Sequence, residues 1–271
     1  MEIFTLASGS TGNCALIRAG KGMDQVVVAL DCGIAQRTAR NRAQDVGLSL
    51  TSVDAVLLSH AHSDHSKNVV PVAARAQAPL YAHHLVPDQR HHSGESERKR
   101  RKVELRPFEA GKSFDIGPLK VTAIELPHDA EPTHGFVFEA DDQKAGFFTD
   151  LGTTEPLRDG VLDGMDSLVL EFNYCPDMLR SGPYPFVLQQ RISGGLGHIS
   201  NQQAAELIRD CCPPSLKQLT LAHLSKKNNR PRLALDLATE TLKQIGREDI
   251  QVHAAPPHQV RRAGPDPCAL F

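Results

Sequence analysis

His60-Ala61-His62-Ser63-Asp64-His65 follows directly on the apolar run Val53 to Leu58. That run has the length and composition of a strand buried on both faces. Potential metal ligands therefore stand at the mouth of a strand. If the peptide leaves it extended, His60 and His62 point the same way, because side chains alternate with period two. Asp64 and His65 then begin a new direction, read as a helix running through Val69, Val70 and Ala73. One short peptide can thus serve two metal ions from two sides. Imidazole suits zinc and iron, and carboxylate adds hard-ligand character. The competing reading is a histidine-rich surface loop, which would lead for a bare H-x-H. An Asp-His pair appended behind a buried-type strand turns the balance towards a metal site.

The chain has 271 residues, 40% of them hydrophobic, enough for a sizeable core. A net charge of −2 does not mark a bulk nucleic-acid binder, so any basic surface must be local. No stretch approaches the ~18–20 apolar residues of a membrane span. The start, Met1-Glu2-Ile3-Phe4-Thr5, shows neither basic n-region nor apolar h-region, so no secretory signal is expected. Cys14, Cys32, Cys175, Cys211, Cys212 and Cys268 form no C-x-x-C pair. A reduced, cytoplasmic setting with cysteines as small core residues fits this usage.

Outward from the histidine segment, the first third reads β-rich and then helical. Ile3–Ala7, Ala15–Arg18 and Gln25–Leu30 are expected strands, with the small-residue loop Ser8-Gly9-Ser10-Thr11-Gly12-Asn13-Cys14 between the first two. Ile34–Ala43 is an expected helix and Pro79–Ala82 a short strand. Residues 84–112 lose all periodicity and hold the basic run Arg98-Lys99-Arg100-Arg101-Lys102. Strands resume at Leu119–Leu126, Gly135–Glu139, Lys144–Thr149, Leu168–Phe172, Leu216–Leu221 and Asp249–His253, with helices at Asn201–Asp210 and Leu233–Ile245. Residues 174–197 read as loop. Two β-rich halves, each followed by helices, predict an α/β (α+β) chain of two sheets packed face to face with helices outside. Residues 1–255 form the expected domain and 256–271 a loose tail.

Further candidate ligands each close an expected strand: His128 after Ile124–Leu126, Asp150 after Gly146–Thr149, His223 after Leu219–Ala222. Strand ends hold side chains rigidly while the following loops leave room for substrate. Singly each is weak; in order behind His60–His65 they reinforce one another.

The series Asp31, H-x-H-x-D-H, His128, Asp150, His223 resembles the metallo-β-lactamase fold over nearly the whole chain. The resemblance implies an αββα sandwich of two mixed sheets. It implies two divalent metals, one held by His60, His62 and His128, the other by Asp64, His65 and His223, with Asp150 bridging. Asp31 would brace a ligand from behind. Zinc leads, and manganese or iron also suit imidazole and carboxylate. Ser8–Cys14, Thr149-Asp150-Leu151-Gly152, Gly182-Pro183-Tyr184-Pro185, Gly197-His198-Ile199-Ser200-Asn201 and His223-Leu224-Ser225-Lys226-Lys227-Asn228-Asn229-Arg230-Pro231 are similar to the YycJ (WalJ) type, associated with 5′-to-3′ exonuclease activity on DNA. One stretch departs: the type reads Ser-Asn-His-Asp after its glutamate, whereas this chain reads Phe172-Asn173-Tyr174-Cys175 after Glu171.

The expected reaction is two-metal phosphodiester hydrolysis. Asp64 is placed both among the ligands and in catalysis. His198 is assigned to charge stabilisation or to protonating the leaving oxygen. Ser10 and Asn13 either offer a phosphate cradle or form a plain tight turn. Ser225, Lys226 and Asn228 are suited to gripping a flanking phosphate, although Asn229-Arg230-Pro231 also reads as a helix start. Arg98, Arg100 and Arg101 belong either to a solvated loop or to an arm contacting the DNA backbone. Small-molecule hydrolysis (of a cyclic phosphodiester, thioester or lactone) is the alternative on the same scaffold, and a metal-dependent regulatory protein a third. Residues 151–222 are too few for the domain that ribonuclease J-type relatives insert there. DNA is the expected partner, no membrane is, and the oligomeric state is left open.

Overall fold

Alternating side chains on strands that are apolar on both faces must feed two cores at once, and they do. The computed structural model describes residues 1–86, 103–130, 132–255 and 260–262. In β3 (Val26–Leu30), Val28 and Leu30 face the cluster between the sheets while Ala29 faces the cluster under the helices. In β4 (Ala55–Leu57) the same division puts Ala55 and Leu57 inside and Val56 outside. In the second half, β11 (Ser167–Glu171) sends Val169 between the sheets and Leu168 and Leu170 outward. Three stacked apolar layers result: helix on sheet, sheet on sheet, sheet on helix.

The first sheet begins with β1 (Glu2–Ala7), β2 (Cys14–Ala19), β3 and β4, and continues through β5 (Leu80–His83) and β6 (Leu105–Phe108). Strands β1 to β3 pair antiparallel, and β3 to β6 parallel. Its outer face carries α1 (Gln36–Asp45) and α3 (Val69–Ala76), with the short α2 (Ser63–Ser66) ahead of α3. The second sheet holds β7 (Ser113–Ile116), β8 (Leu119–Leu126), β9 (Thr133–Ala140), β10 (Gln143–Phe148), β11, β12 (Gln218–Ala222) and β13 (Gln251–Ala254) in spatial order. From β7 to β10 it is antiparallel, from β10 to β13 parallel. Behind α4 (Pro176–Ser181) and α5 (Phe186–Ser193), α6 (Asn201–Cys211) and α7 (Pro231–Gln244) bury Leu207, Ile208, Ala234 and Leu242 on its outer face. This is the expected αββα sandwich of two mixed sheets.

Several expectations need correction. The helix expected to run from Asp64 through Ala73 is two helices, because Asn68 breaks away to bond Cys32 and Ile34 with its backbone and side-chain N–H groups. Strand β6 was missed inside the aperiodic 84–112 stretch; its Leu105, Arg106 and Pro107 are exposed, so no alternation marks it. Residues 174–197 contain α4 and α5, and α5 buries no residue, so no apolar stripe betrays it. The segment expected to be loose contributes β14 (Arg261–Arg262), which pairs antiparallel with β1. The basic run with Arg98, Arg100 and Arg101 lies outside the described residues. Among the described residues no helix is long and apolar enough to cross a membrane.

Candidate active site

Strands β3, β4, β8, β10, β11 and β12 all finish at one edge of the sandwich, and the residue at or just past each end carries a polar side chain. These are Asp31, Ser59 with His60, His128, Asp150, Glu171 and His223. Asp31, Asp150 and His223 leave their strands in the left-handed region, at φ 54°, 61° and 54°. Aspartate tolerates that region with local hydrogen bonding, but a histidine there is held by its surroundings. The His223 N–H donates to Ser8 Oγ at 2.7 Å, which also ties the two halves together.

The His60–His65 segment is bolted to its neighbours through backbone. Asn13 N–H donates to the Asp64 carbonyl at 2.7 Å, Cys32 N–H to the His65 carbonyl at 2.8 Å, and Gly33 N–H to the Asn13 carbonyl at 2.8 Å. Gly33 passes so near the segment that any Cβ there would overlap the Asp64 carbonyl. Gly33→Ala is therefore expected to cost about 1–3 kcal/mol and to push Asp64 out of place. Urea denaturation together with metal analysis checks this; unchanged values in both would refute it.

Four imidazoles share one arrangement. His65 Nδ1 meets Asp31 Oδ2 at 2.8 Å, His128 Nδ1 meets the Gly197 carbonyl at 2.9 Å, and His223 Nδ1 meets Glu171 Oε1 at 2.8 Å. His60 Nδ1 meets Ser59 Oγ at 2.9 Å, and that hydroxyl donates to Asp31 Oδ2 at 2.8 Å, so it accepts from the imidazole. Each acceptor fixes the proton on Nδ1 and turns the Nε2 lone pair inward. Nε2 of His60, His128 and His223 and Oδ2 of Asp150 are buried without a hydrogen-bond partner. Buried polar atoms are almost always satisfied, so several orphans converging on one spot identify acceptors that want a cation. Ligand atoms of His60, His62 and His128 lie within 4.8 Å of one another, as do those of Asp64, His65 and His223, and those of His60, His65 and Asp150. The donor set of imidazole and carboxylate fits divalent metal ions, and Asp150 lies between the groups: Oδ2 is 3.2 Å from His65 Nε2, Oδ1 3.8 Å from His128 Nε2.

The electrostatics agree. Burial alone would raise the Asp150 carboxyl, but His223 and His65 hold it well below the usual carboxylate range. Burial alone would lower His65, but Asp150 and Asp31 raise it well above an ordinary histidine. His60, which burial pushes down with His65 adding to the effect, stays neutral. The cluster thus draws positive charge to itself.

His198 stands at the rim of the cluster. Its Nδ1 meets Glu171 Oε1 at 3.0 Å and lies 4.0 Å from Asp150 Oδ1. Burial alone would lower it, and the Glu171 carboxylate outweighs that by charge and hydrogen bond, raising it to about 9. A cleft of about 240 Å³ opens over the cluster, lined by Ser10, Asp64, Asp150, Arg191 and His198 among others.

A family profile described as the Beta-lactamase superfamily domain matches residues 27–223. The chain belongs to the beta-lactamase superfamily. Within the superfamily its relatives include a Bacillus anthracis protein named exodeoxyribonuclease YycJ, 29% identical over 95% of this chain and 96% of that one. A Streptococcus pneumoniae protein named exodeoxyribonuclease WalJ is 30% identical over 84% of this chain and 83% of its own. The chain thus also belongs with the YycJ/WalJ proteins. The metallo-β-lactamase-fold protein YhfI from Bacillus subtilis shares the fold, with a TM-score of 0.69 and 16% identity over 97% of this chain and 100% of that one.

Some expected substrate groups of this superfamily member are not where the sequence reading put them. Asn13 is buried, with Nδ2 2.8 Å from His65 Nε2 and Oδ1 accepting from Gly9 N–H at 2.8 Å, so it supports the cluster rather than facing the cleft. Asn228 is completely buried and cannot reach a substrate phosphate. Ser225 caps its own loop by accepting from Asn228 N–H at 3.1 Å, while Lys226 is exposed beside it. Ser10 does line the cleft, and Asp31 does stand behind His65. Asn229-Arg230-Pro231 does open helix α7, with Arg230 at its cap and Pro231 in its first turn, and the Asn229 amide donates to the Phe172, Asn173 and Asn201 oxygens at 2.8, 3.0 and 2.9 Å. Tyr174, where the resemblance implies a histidine, is buried, and burial, with Glu171 adding, raises its phenol above the ordinary value, so it stays protonated at neutral pH.

Two functional residues escaped the sequence reading. Glu171, wholly buried, also accepts from the Asp150 and Ile199 N–H groups at 3.3 and 3.1 Å. Its signal was a carboxylate ending the apolar run Ser167–Leu170, since a buried charge demands partners. Asp129 stands 3.5 Å from both His62 Nε2 and His128 Nε2 and accepts from Arg191 Nε at 2.6 Å.

Proposed function

We propose that this metal-dependent hydrolase cleaves phosphodiester bonds of DNA from an end, as a 5′-to-3′ exonuclease. The observation that carries the reading is the set of orphaned atoms gathered in one cluster, Nε2 of His60, His128 and His223 and Oδ2 of Asp150, with a cationic His198 at the rim. His60, His62 and His128 on one side and Asp64, His65 and His223 on the other, with Asp150 between the groups, would hold two divalent ions, which would supply a nucleophilic water at neutral pH and polarise the phosphoryl oxygens. Zinc fits this donor set first, and manganese or iron also fit.

The chain's own groups supply the rest. An alkoxide leaving from phosphorus needs a proton. His198, kept protonated by Glu171 and lining the cleft, is the group that gives it. Glu171 fixes the ring by holding Nδ1, which leaves Nε2 for the substrate. Asp150 keeps the cleft floor anionic, so a phosphate would need cations bound there to offset that charge. Ser10 and Arg191, which line the cleft, and the exposed Lys226 are the groups assigned to flanking phosphates. An aspartate at the bridging position also separates this centre from a thiolate-bearing one. Both curated relatives are named as exodeoxyribonucleases, which supports DNA over a small ester.

Digestion of single- and double-stranded DNA labelled at either end, by metal-replete protein, tests the reading. Stepwise shortening from the 5′ end is expected, and His198→Ala is expected to lower kcat by about 10²–10⁴ while leaving metal content alone. Intact DNA together with rapid hydrolysis of a cyclic phosphodiester, thioester or lactone would move the assignment to the small-molecule alternative.

A further inference from the structure

A second cavity, of about 300 Å³, lies between α1 and α3 on the outer flank of the first sheet. It shares no lining residue with the cleft over the metal cluster. Its walls carry Arg37 and Arg40 from α1 and Arg75 from α3, all exposed, and its floor is the apolar pair Leu50 and Val72, both buried, with the Thr51 hydroxyl beside them.

Among the described residues no acidic side chain lines this cavity, and Arg37, Arg40 and Arg75 make no ion pair. Elsewhere on the molecule Arg158 pairs with Asp210, Arg180 with Asp177 and Arg247 with Asp249. Arg37 and Arg40 stand one turn apart on α1, where like charges repel. A fold that gathers guanidiniums from two helices around one hollow, with no counter-charge among the described residues, has a use for an anion from outside.

The shape narrows that anion. A single carboxylate would neutralise one guanidinium of the group. A phosphate monoester carries close to two charges and presents oxygens that several planar guanidinium forks can grip at once. The Leu50–Val72 floor then receives an apolar or flat organic group attached to the phosphate. The volume falls at the small end of the range for ligand pockets, which suits a ligand of nucleotide size rather than a length of duplex. We propose that the α1–α3 cavity is a binding site for a small phosphate monoester of the nucleoside monophosphate class, separate from the metal centre. The inference does not depend on what the metal centre cleaves.

Isothermal titration of the full-length, metal-loaded protein with 5′-deoxyadenosine monophosphate tests it, with deoxyadenosine and a 20-base-pair duplex as further probes. The monophosphate is expected to bind the wild type at least about ten-fold more tightly than deoxyadenosine, since charge-assisted bonds to guanidinium dominate. The Arg37→Gln/Arg40→Gln/Arg75→Gln variant is expected to lose one site from the stoichiometry, while His198→Ala keeps it. Because the exchanged side chains are exposed, far-UV circular dichroism is expected to match wild type; each single Arg→Gln variant, weakening the same site, serves if the triple does not fold. Equal stoichiometry and affinity in wild type and the arginine variants would overturn the proposal. So would loss of the site in His198→Ala alone, or arginine variants that weaken duplex binding and leave the monophosphate untouched.

Discussion

Asp150→Ala protein is expected to carry at most one metal ion per chain and to cleave DNA at least on the order of 10³-fold more slowly than wild type. Asp150 is the carboxylate common to the histidine groups, with Oδ1 3.4 Å from His223 Nδ1 and Oδ2 3.2 Å from His65 Nε2. Nothing else can take its place. Asp64 reaches only the His65 and His223 side, at 3.7 and 4.0 Å, and Glu171 is already committed to Nδ1 of His198 and His223. Removing the charge leaves imidazoles facing one another across the cleft, so cations lose their shared anchor and imidazoles their counter-charge. Elemental analysis of the purified variant and an end-labelled digestion read the two outcomes. Asp150→Asn, which keeps the shape and removes the charge, is expected to behave nearly as badly and guards against simple misfolding of the alanine variant. Two ions per chain with wild-type cleavage in either variant would show that the bridge lies elsewhere.

What could be read from the sequence, and what could not, divides along a physical line. His60, His128, Asp150 and His223 were legible because each interrupts a buried apolar run at its end, and a polar group in that position must be satisfied or used. The sandwich was legible for the same reason: runs such as Val53–Leu58 are apolar without alternation only if both faces are covered. Glu171 was harder to see, because it ends its strand inside the apolar layer rather than beyond it. Asn13 and Asn228 were misplaced because a motif gives residue type and spacing but not direction, and both amides point inward. The helix α5 left no periodic trace, since none of its side chains is buried, although Leu188, Arg191 and Ile192 on it wall the cleft. Elements that form the site's rim are held by few core contacts, so the hydrophobic pattern that reveals a fold is silent about them.

Glu171→Gln is expected to be nearly as damaging as loss of Asp150, although Glu171 lines no part of the cleft. Its Oε1 accepts from His198 at 3.0 Å and from His223 at 2.8 Å, and its Oε2 accepts from Ile199 N–H at 3.1 Å. Burial alone would raise this carboxyl; the His198 imidazolium, by charge and hydrogen bond, and then His223 bring it down to about 2. A carboxyl depressed from 4.5 contributes stability that is fully present above about pH 4.5 and is lost as pH falls through about 2. His198, raised from 6.5 to about 9, contributes fully below about pH 6.5 and loses its contribution as pH rises through about 9. Both belong to one pair, so the gain counts once, and the pair is whole between about pH 4.5 and 6.5. A glutamine in that place keeps the shape but removes the charge, leaving a part-buried imidazolium without its counter-charge that must give up its proton or destabilise the fold. The alkaline limb of the kcat profile should accordingly move to lower pH, and metal affinity should fall by about 10–100-fold as His223 exchanges a carboxylate acceptor for a neutral amide. Glu171→Asp, which keeps the charge and shortens the reach, is expected to restore part of the affinity and to return the alkaline limb towards its wild-type position. If Glu171→Gln left the limb, the metal affinity and the urea midpoint all unmoved, Glu171 would be a passive resident of the core, and His198 would need another source for its proton.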